Sequence, residues 1–249
     1  MNNKILKKIL GLYGFKLIEK GLVKNQRLIS INSELNINFI LQRIFNKFQI
    51  ENIIQIGAND GKRFDDLRPY IKSKNKFCVL IEPLKKYFDE LKKNYQNEKN
   101  FHFENSAITV GNEDFEIYSV KEKYLSEYDD HIKGINSFDI KHLKKHGVKK
   151  NHIEKKKINS LSISNLIKKY NIEKLDLLYI DTEGYDGKIV YAFMKNTELK
   201  PIIIFEYIHI ENKFFSKLIN LLNEEKFKFF SINENLICYP PNKDFLLEY

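Results

Sequence analysis

Three carboxylates close together, and a glycine-rich turn far upstream of them, are the residues of this chain best suited to chemistry. The run Tyr179-Ile180-Asp181-Thr182-Glu183-Gly184-Tyr185-Asp186 brings three acids onto the page directly after a short apolar stretch. An acid at the carboxyl end of a buried strand sits where an open α/β sheet places its active site. There Asp181 can receive a substrate proton or hold a divalent cation, and Glu183 can hydrogen-bond a substrate. Helix capping by Thr182 or Asp186 accounts for only part of the cluster. Downstream, Glu206 and His209 can line the same crevice. His209 is the best general-base candidate, because an imidazole titrates near neutrality; the plain alternative is a surface histidine that starts a helix.

The upstream turn is Gln55-Ile56-Gly57-Ala58-Asn59-Asp60-Gly61. Its two glycines let the backbone turn tightly and approach a ligand, but the spacing is not the G-x-G-x-x-G of a dinucleotide fingerprint. About twenty residues later comes Glu82-Pro83, an acid placed to accept hydrogen bonds from both hydroxyls of a ribose. Glu82 could instead cap the next helix, with Pro83 as its first residue. Farther on, Asn105-Ser106-Ala107-Ile108 offers small side chains that leave room for a flat base, with Ser106 as a polar contact. Gln55, Gly57, Asn59, Asp60, Gly61, Glu82, Pro83, Ser106 and Ala107 together outline a nucleoside site.

Such a site needs a sheet, and the hydrophobic pattern supplies one. Residues 51–56, 77–81, 101–108, 114–120, 175–180 and 202–208 read as strands, with the 175–180 and 202–208 runs apolar throughout, as strands buried on both faces are. Helical patterns over 63–73, 84–97 and 211–226 separate them, which implies βαβ units and a doubly wound α/β sheet. Two last strands, 227–232 and 235–239, joined at Asn233-Glu234, predict an antiparallel edge. Residues 124–157 show no clean strand and hold His131, His142, His146 and His152 among many lysines. This stretch reads as a lid or substrate-recognition insertion, helical around 137–146, with its histidines solvated rather than metal-bound. Residues 1–49 read as an N-terminal helical extension. Its first segment, with Ile5, Leu6, Ile9, Leu10 and Tyr13 on one face, can lie on an anionic membrane or pack on protein. A second helix, capped by Asn32 or Ser33, turns Leu35, Phe39, Ile40, Ile44, Phe45 and Phe48 inward.

The 249 residues carry a net charge of +9, which favours acidic substrates, nucleic acid or a membrane surface as partners, unless it reflects a bias toward lysine. Cys78 and Cys238, the only two cysteines, form no disulfide framework or zinc frame and fit core packing in a reducing cytosol. No apolar run is long enough to predict a transmembrane helix, and the N-terminus makes a poor signal peptide.

The segments IIQIGANDG, LIEPLKKYFDELKKN, ENSAI, LDLLYIDTEGYDGKIV and PIIIFEY resemble, in order and spacing, the FkbM family of methyltransferases. The resemblance spans about residues 50 to 210. It implies a class I methyltransferase sheet, S-adenosylmethionine as cofactor, and methylation of hydroxyl groups on sugars and related small molecules. Carried over by position, Gly57, Asn59 and Gly61 become the cofactor loop, Glu82 the ribose acid, Ser106 and Ala107 the adenine wall, and Asp181 and Glu183 the acids at the reaction edge. Two positions depart from the family pattern: Tyr179 stands where a lysine is frequent, and Leu161-Ser162 where Leu-Asp is usual. Two other functions stay in view, a catalytically inactive cofactor-binding partner in a polysaccharide assembly and an RNA-directed methyltransferase. DNA is not an expected partner, since the Asn/Asp-Pro-Pro-Tyr/Phe element of amino-methylating nucleic-acid enzymes is missing. The lysines between Lys141 and Lys157 suggest an anionic acceptor.

Overall fold

A computed structural model of the chain describes residues 36–63, 65–111, 115–129, 132, 137, 140–182 and 184–243, without the side chains of 115 and 142. The chain divides into two units after Asn36, and the second carries every element below. The basic segment proposed for membrane contact, both proposed caps of the second helix, His131 and Glu183 lie outside the described residues.

The elements run α1 (Ile37–Lys47), β1 (Asn52–Ile56), α2 (Arg68–Ile71), β2 (Phe77–Ile81), α3 (Lys85–Asn94), β3 (Phe101–Glu104), β4 (Ala107–Thr109) and β5 (Phe115–Val120). They continue with α4 (Ile140–Lys145), β6 (Ile153–Ile158), β7 (Ser160–Ser162), α5 (Ile163–Lys169), β8 (Leu177–Ile180), α6 (Asp186–Asn196) and β9 (Ile202–Glu206). The last three are α7 (Asn212–Glu224), β10 (Lys228–Ile232) and β11 (Asn235–Tyr239). Seven strands form the main sheet in the order β3-β2-β1-β8-β9-β11-β10. The first five are mutually parallel, while β11 runs antiparallel to both β9 and β10. This is the class I methyltransferase sheet, with the expected antiparallel pair at its edge.

The strands are apolar throughout because helices cover both faces. On one face, Ile54, Ile56, Leu178, Ile203 and Phe205 pack against Ile163 and Leu166 of α5, Ile189 and Phe193 of α6, and Leu218 and Leu222 of α7. On the other, Ile53, Leu80, Leu177 and Ile204 meet Ile40, Leu41 and Ile44 of α1, Ile71 of α2 and Leu91 of α3. Helix α1 therefore packs on the sheet with Ile40 and Ile44 turned inward. Leu41, not Phe39, faces the sheet from it, and Phe39 is exposed. Both cysteines are buried.

Three sequence expectations change. The 101–108 strand is two: β3 ends at Glu104, and β4 leaves the main sheet to pair in parallel with β7. The 63–73 helix shortens to the four residues of α2, because Asp60 and Asp65 hold the preceding chain in turns. The insertion does contain a strand: β6 pairs antiparallel with β5 over the full length of both. Its sequence, IEKKKI, hides this because a two-stranded ribbon leaves one face in water, where lysines are tolerated and find Glu116 and Glu154. Ile117 and Ile158 of the ribbon pack on Leu84 and Tyr87 at the start of α3. Behind the ribbon, Val120, Leu143, Val148 and Ile153 make a small core of their own.

Candidate functional site

The strand order reverses at β1, whose neighbours lead outward to β2 on one side and to β8 on the other. Loops leaving the carboxyl ends of such a pair diverge and open a crevice. Here it measures about 480 Å³ and is lined from β1, β2, β4, β5, β8, β9 and the start of β11.

The cofactor-loop candidates divide by what they touch. Gly57 has φ +84°, and a Cβ on it would stand 1.8 Å from the backbone oxygen of Asp181. Only glycine lets the loop pass so close to the end of β8. Gly61, at φ +65°, is pressed against Leu91 and Tyr95 of the α3 region, so its smallness serves packing behind the crevice. Asp60 is also turned away from the opening. Its carboxylate accepts the backbone N–H groups of Lys62 and Arg63 at 2.9 and 2.8 Å and pairs with the Arg63 guanidinium. Burial alone would raise its pKa, but those hydrogen bonds and the Arg63 charge hold it below the usual carboxylate range. Asp60 shapes the loop; it does not line the crevice.

Gln55, Gly57, Asn59, Glu82, Pro83, Ser106 and Ala107 do line it. Glu82, 4% exposed, accepts the N–H of Asn59 on one oxygen at 3.1 Å and that of Leu84 on the other at 2.9 Å. Each oxygen keeps a second lone pair, which is what a ribose diol requires. Burial drives the Glu82 pKa up to about 7, against the pull of those two N–H donors, with Asp60 adding to the rise. The Asn105 amide donates to the carbonyls of Glu82 and Pro83 at 2.9 and 3.0 Å and fixes the chain there. Ala107, Ile108 and Ile117 give the same crevice an apolar lining, the chemistry a purine face packs on. Gln55 donates to Asp65 at 3.0 Å, while its buried Oε1 has no partner among the described residues. That acceptor fits an ammonium such as the one on a methionine tail.

The other half of the crevice collects the reaction-edge candidates. Asp181, exposed, follows β8, and His209 Nε2 lies 3.5 Å from Glu206 Oε1. All three line the crevice with Thr182, Ile208, Glu234 and Asn235. Asp186 does not: fully buried, it accepts from Thr182 Oγ1 at 2.8 Å and from the N–H groups of Thr182 and Gly184, both at 3.2 Å. It ties the acidic loop into one conformation.

Sequence reasoning missed several lining residues. Asp65 and Asp66 read as part of a helix, yet both face the crevice from the turn before α2. Burial raises both pKa values, and for Asp66 the Asp65 charge adds to it. Tyr179 hydrogen-bonds Asp66, and burial and then the Asp66 charge keep its phenol protonated. Thus the residue that departs from the family pattern acts as a donor to a carboxylate. The histidines of the insertion are not simply solvated. His146 reaches the crevice, and His152 is buried, stacked on Tyr124 at 3.8 Å with a ring nitrogen 2.8 Å from the Tyr128 hydroxyl. No signal in the sequence distinguishes these two from surface histidines. Among the described residues, no group of three or more His, Cys, Asp or Glu side chains is arranged to hold a metal ion, so Asp181 gains no companion ligands there. No described helix is long and apolar enough to cross a membrane.

A family model for the methyltransferase FkbM domain matches residues 55–229. The chain belongs to the FkbM methyltransferase family. Its members' cofactor is S-adenosylmethionine, and the Glu82 and Gln55 acceptors beside an apolar wall suit that molecule's ribose, ammonium and adenine. A search of curated proteins finds no significant match. Among solved structures, an FkbM methyltransferase from Methylobacillus flagellatus KT is similar, with 12% identity and a TM-score of 0.45 over 78% of this chain and 45% of that one. The O-methyltransferase from Bacillus cereus in complex with SAH aligns at 9% identity, TM-score 0.42, over 94% of this chain and 97% of its own. Fibrillarin, a pre-rRNA processing protein from Methanococcus jannaschii, aligns at 14% identity, TM-score 0.37, over 76% and 65%. The chain thus spans less than half of the M. flagellatus protein and about two thirds of fibrillarin.

Proposed function

We propose that the chain transfers a methyl group from S-adenosylmethionine to a hydroxyl oxygen of a sugar or another small hydroxyl-bearing acceptor. The reading rests on one observation: Asp181 and the Glu206–His209 pair line the same crevice as Glu82, on the opposite side of the β1 loop. S-adenosylmethionine, when bound, supplies a methyl group already activated by its sulfonium. The protein then has to hold the acceptor oxygen in line and take its proton. Asp181, exposed at the mouth, is placed to accept that proton, and Glu206 is placed to orient His209 for the same task. Tyr179 and Asp66, hydrogen-bonded to each other, line the same crevice, and Ile208, 44% exposed, offers an apolar surface to a ring.

The test supplies methyl-labelled S-adenosylmethionine and separate carbohydrate, RNA and protein fractions to the purified chain. Alkali-stable ether label in the carbohydrate is the expected result. Label in RNA or protein would overturn the acceptor assignment, and cofactor binding without transfer to any fraction would leave the inactive-partner reading standing instead. Within an active preparation, Asp181→Asn should lower turnover by about 10²–10⁴-fold, the range of general-base assistance, without weakening cofactor binding.

A further inference from the structure

Charge is sorted in this molecule. Among the described residues the crevice is lined by six carboxylates, those of Asp65, Asp66, Glu82, Asp181, Glu206 and Glu234, and by one guanidinium, Arg63, which is held by Asp60 and Glu90. Among the described residues no lysine lines it. A second concavity, of about 350 Å³, shows the reverse. It lies between the end of α3 and the two ends of α2, and shares no lining residue with the crevice.

Four cations converge on it: Lys62 from the cofactor loop, Arg68 and Lys72 from either end of α2, and Lys93 from the last turn of α3. Among the described residues, the ammonium groups of Lys62, Lys72 and Lys93 make no ion pair or hydrogen bond. This sets them apart from Lys85, Lys155, Lys156, Lys169 and Lys200, each of which has found a carboxylate. The one carboxylate in the concavity among the described residues, Glu98, is engaged, accepting the N–H of Ser73 at 3.0 Å. Three side-chain amides, of Asn94, Gln96 and Asn97, complete the lining. Like charges gathered in a concave site repel one another, and the arrangement is relieved by an anion that all can reach.

The guanidinium of Arg68 is fixed in place: it donates to the Gly61 carbonyl and lies over the Tyr95 ring, 5.0 Å from its centre. Asn94 is fixed too, donating to the Asp60 carbonyl at 2.7 Å. The floor of the concavity is therefore rigid, and the three lysines are its mobile arms. A fixed planar fork with flexible ammonium groups around it matches a tetrahedral oxyanion carrying more than one charge. We infer that this concavity is a binding site for a phosphate group, separate from the methyl-transfer crevice. The phosphate can belong to a soluble compound or to a lipid headgroup, and the chemistry of recognition is the same.

Titration of the whole chain with tripolyphosphate, and separately sedimentation with phosphatidylglycerol against phosphatidylcholine vesicles, tests this at physiological ionic strength. Saturable binding in either arm is expected, and the responding arm assigns the source. Lys72→Gln/Lys93→Gln should weaken it at least about tenfold, which is about 1.4 kcal/mol. The control Lys155→Gln/Lys156→Gln/Lys157→Gln removes more charge from the β5–β6 ribbon and should leave binding intact. Binding in neither arm would overturn the inference. So would a control that loses as much affinity as the double variant, since that is the mark of general charge attraction. Both variants should keep a normal thermal transition, because all five lysines are solvent-exposed.

Discussion

Glu82 is a carboxyl group asked to do two opposed things. Buried and poised near neutrality, it is more easily protonated in the folded chain than its ordinary value of 4.5 allows. A carboxyl raised on folding stabilises the fold below the unfolded pKa and loses that contribution as pH climbs through about 7. Ribose hydroxyls, however, need an acceptor, and the carboxylate is the better one. Cofactor affinity should therefore rise with pH through about 7 while the stability of the free protein falls over the same interval, which calorimetry of both quantities across that range will show. Glu82→Gln should flatten both profiles and weaken S-adenosylmethionine by about 1–3 kcal/mol, the worth of a hydrogen bond to a charged group. A variant that kept the wild-type pH dependence would remove Glu82 from the ribose. At this scale the sequence was informative where a residue's role follows from its position in the backbone: Gly57, Glu82 and Asp181 stand at strand ends. It misled where the role depends on which way a side chain turns. Asp60 and Asp65 are both aspartates of one loop, yet only Asp65 faces the crevice.

Among elements, the β5–β6 ribbon is the one that most alters the picture drawn from sequence. It is fastened by Ile117 and Ile158 to the start of α3, the helix that follows Glu82-Pro83 directly. Ile117 is thus at once an anchor of the ribbon and a wall of the crevice. Ile117→Ala should destabilise the fold by about 2–4 kcal/mol, as large-to-small changes at buried sites do. It should also raise the dissociation constant for S-adenosylhomocysteine, and denaturant melts with parallel ligand titrations will separate the two effects. Destabilisation with unchanged affinity would show that Ile117 anchors without lining. The ribbon was illegible in advance because a two-stranded element with one wet face has no continuous apolar run. Strands β8 and β9 were legible for the opposite reason: every residue between Leu177 and Ile180, and nearly every one between Ile202 and Glu206, is buried.

For the molecule as a whole, both faces of the sheet are closed by helices and the crevice is the main opening along its carboxyl edge among the described residues. A ligand that fills such an opening stabilises by mass action, and about 2.7 kcal/mol accrues at a hundredfold excess over the dissociation constant. For a chain of this size that raises the midpoint of thermal unfolding by about 5–10 °C. S-adenosylhomocysteine should produce that shift and NAD should produce none. A shift with NAD alone would point to a dinucleotide site and against the cofactor expected of an FkbM methyltransferase. The overall architecture was the most readable feature of all, because βαβ order and an antiparallel closing pair are written in hydrophobic periodicity. The segregation of charge was not readable, since a total of +9 says nothing about where carboxylates gather.

The close approach at Gly57 has a bearing on redesign. Because the Gly57 loop rests against the backbone of Asp181, the side of the crevice proposed for the cofactor and the side proposed for the acceptor share one wall that tolerates no added atom. New acceptor preferences cannot be introduced by reshaping that wall without disturbing the cofactor as well. The adjustable positions are Ile208, Glu234 and Asn235, which follow β9 and lead into β11. A library confined to those three positions should shift acceptor choice while leaving S-adenosylmethionine affinity at its starting value.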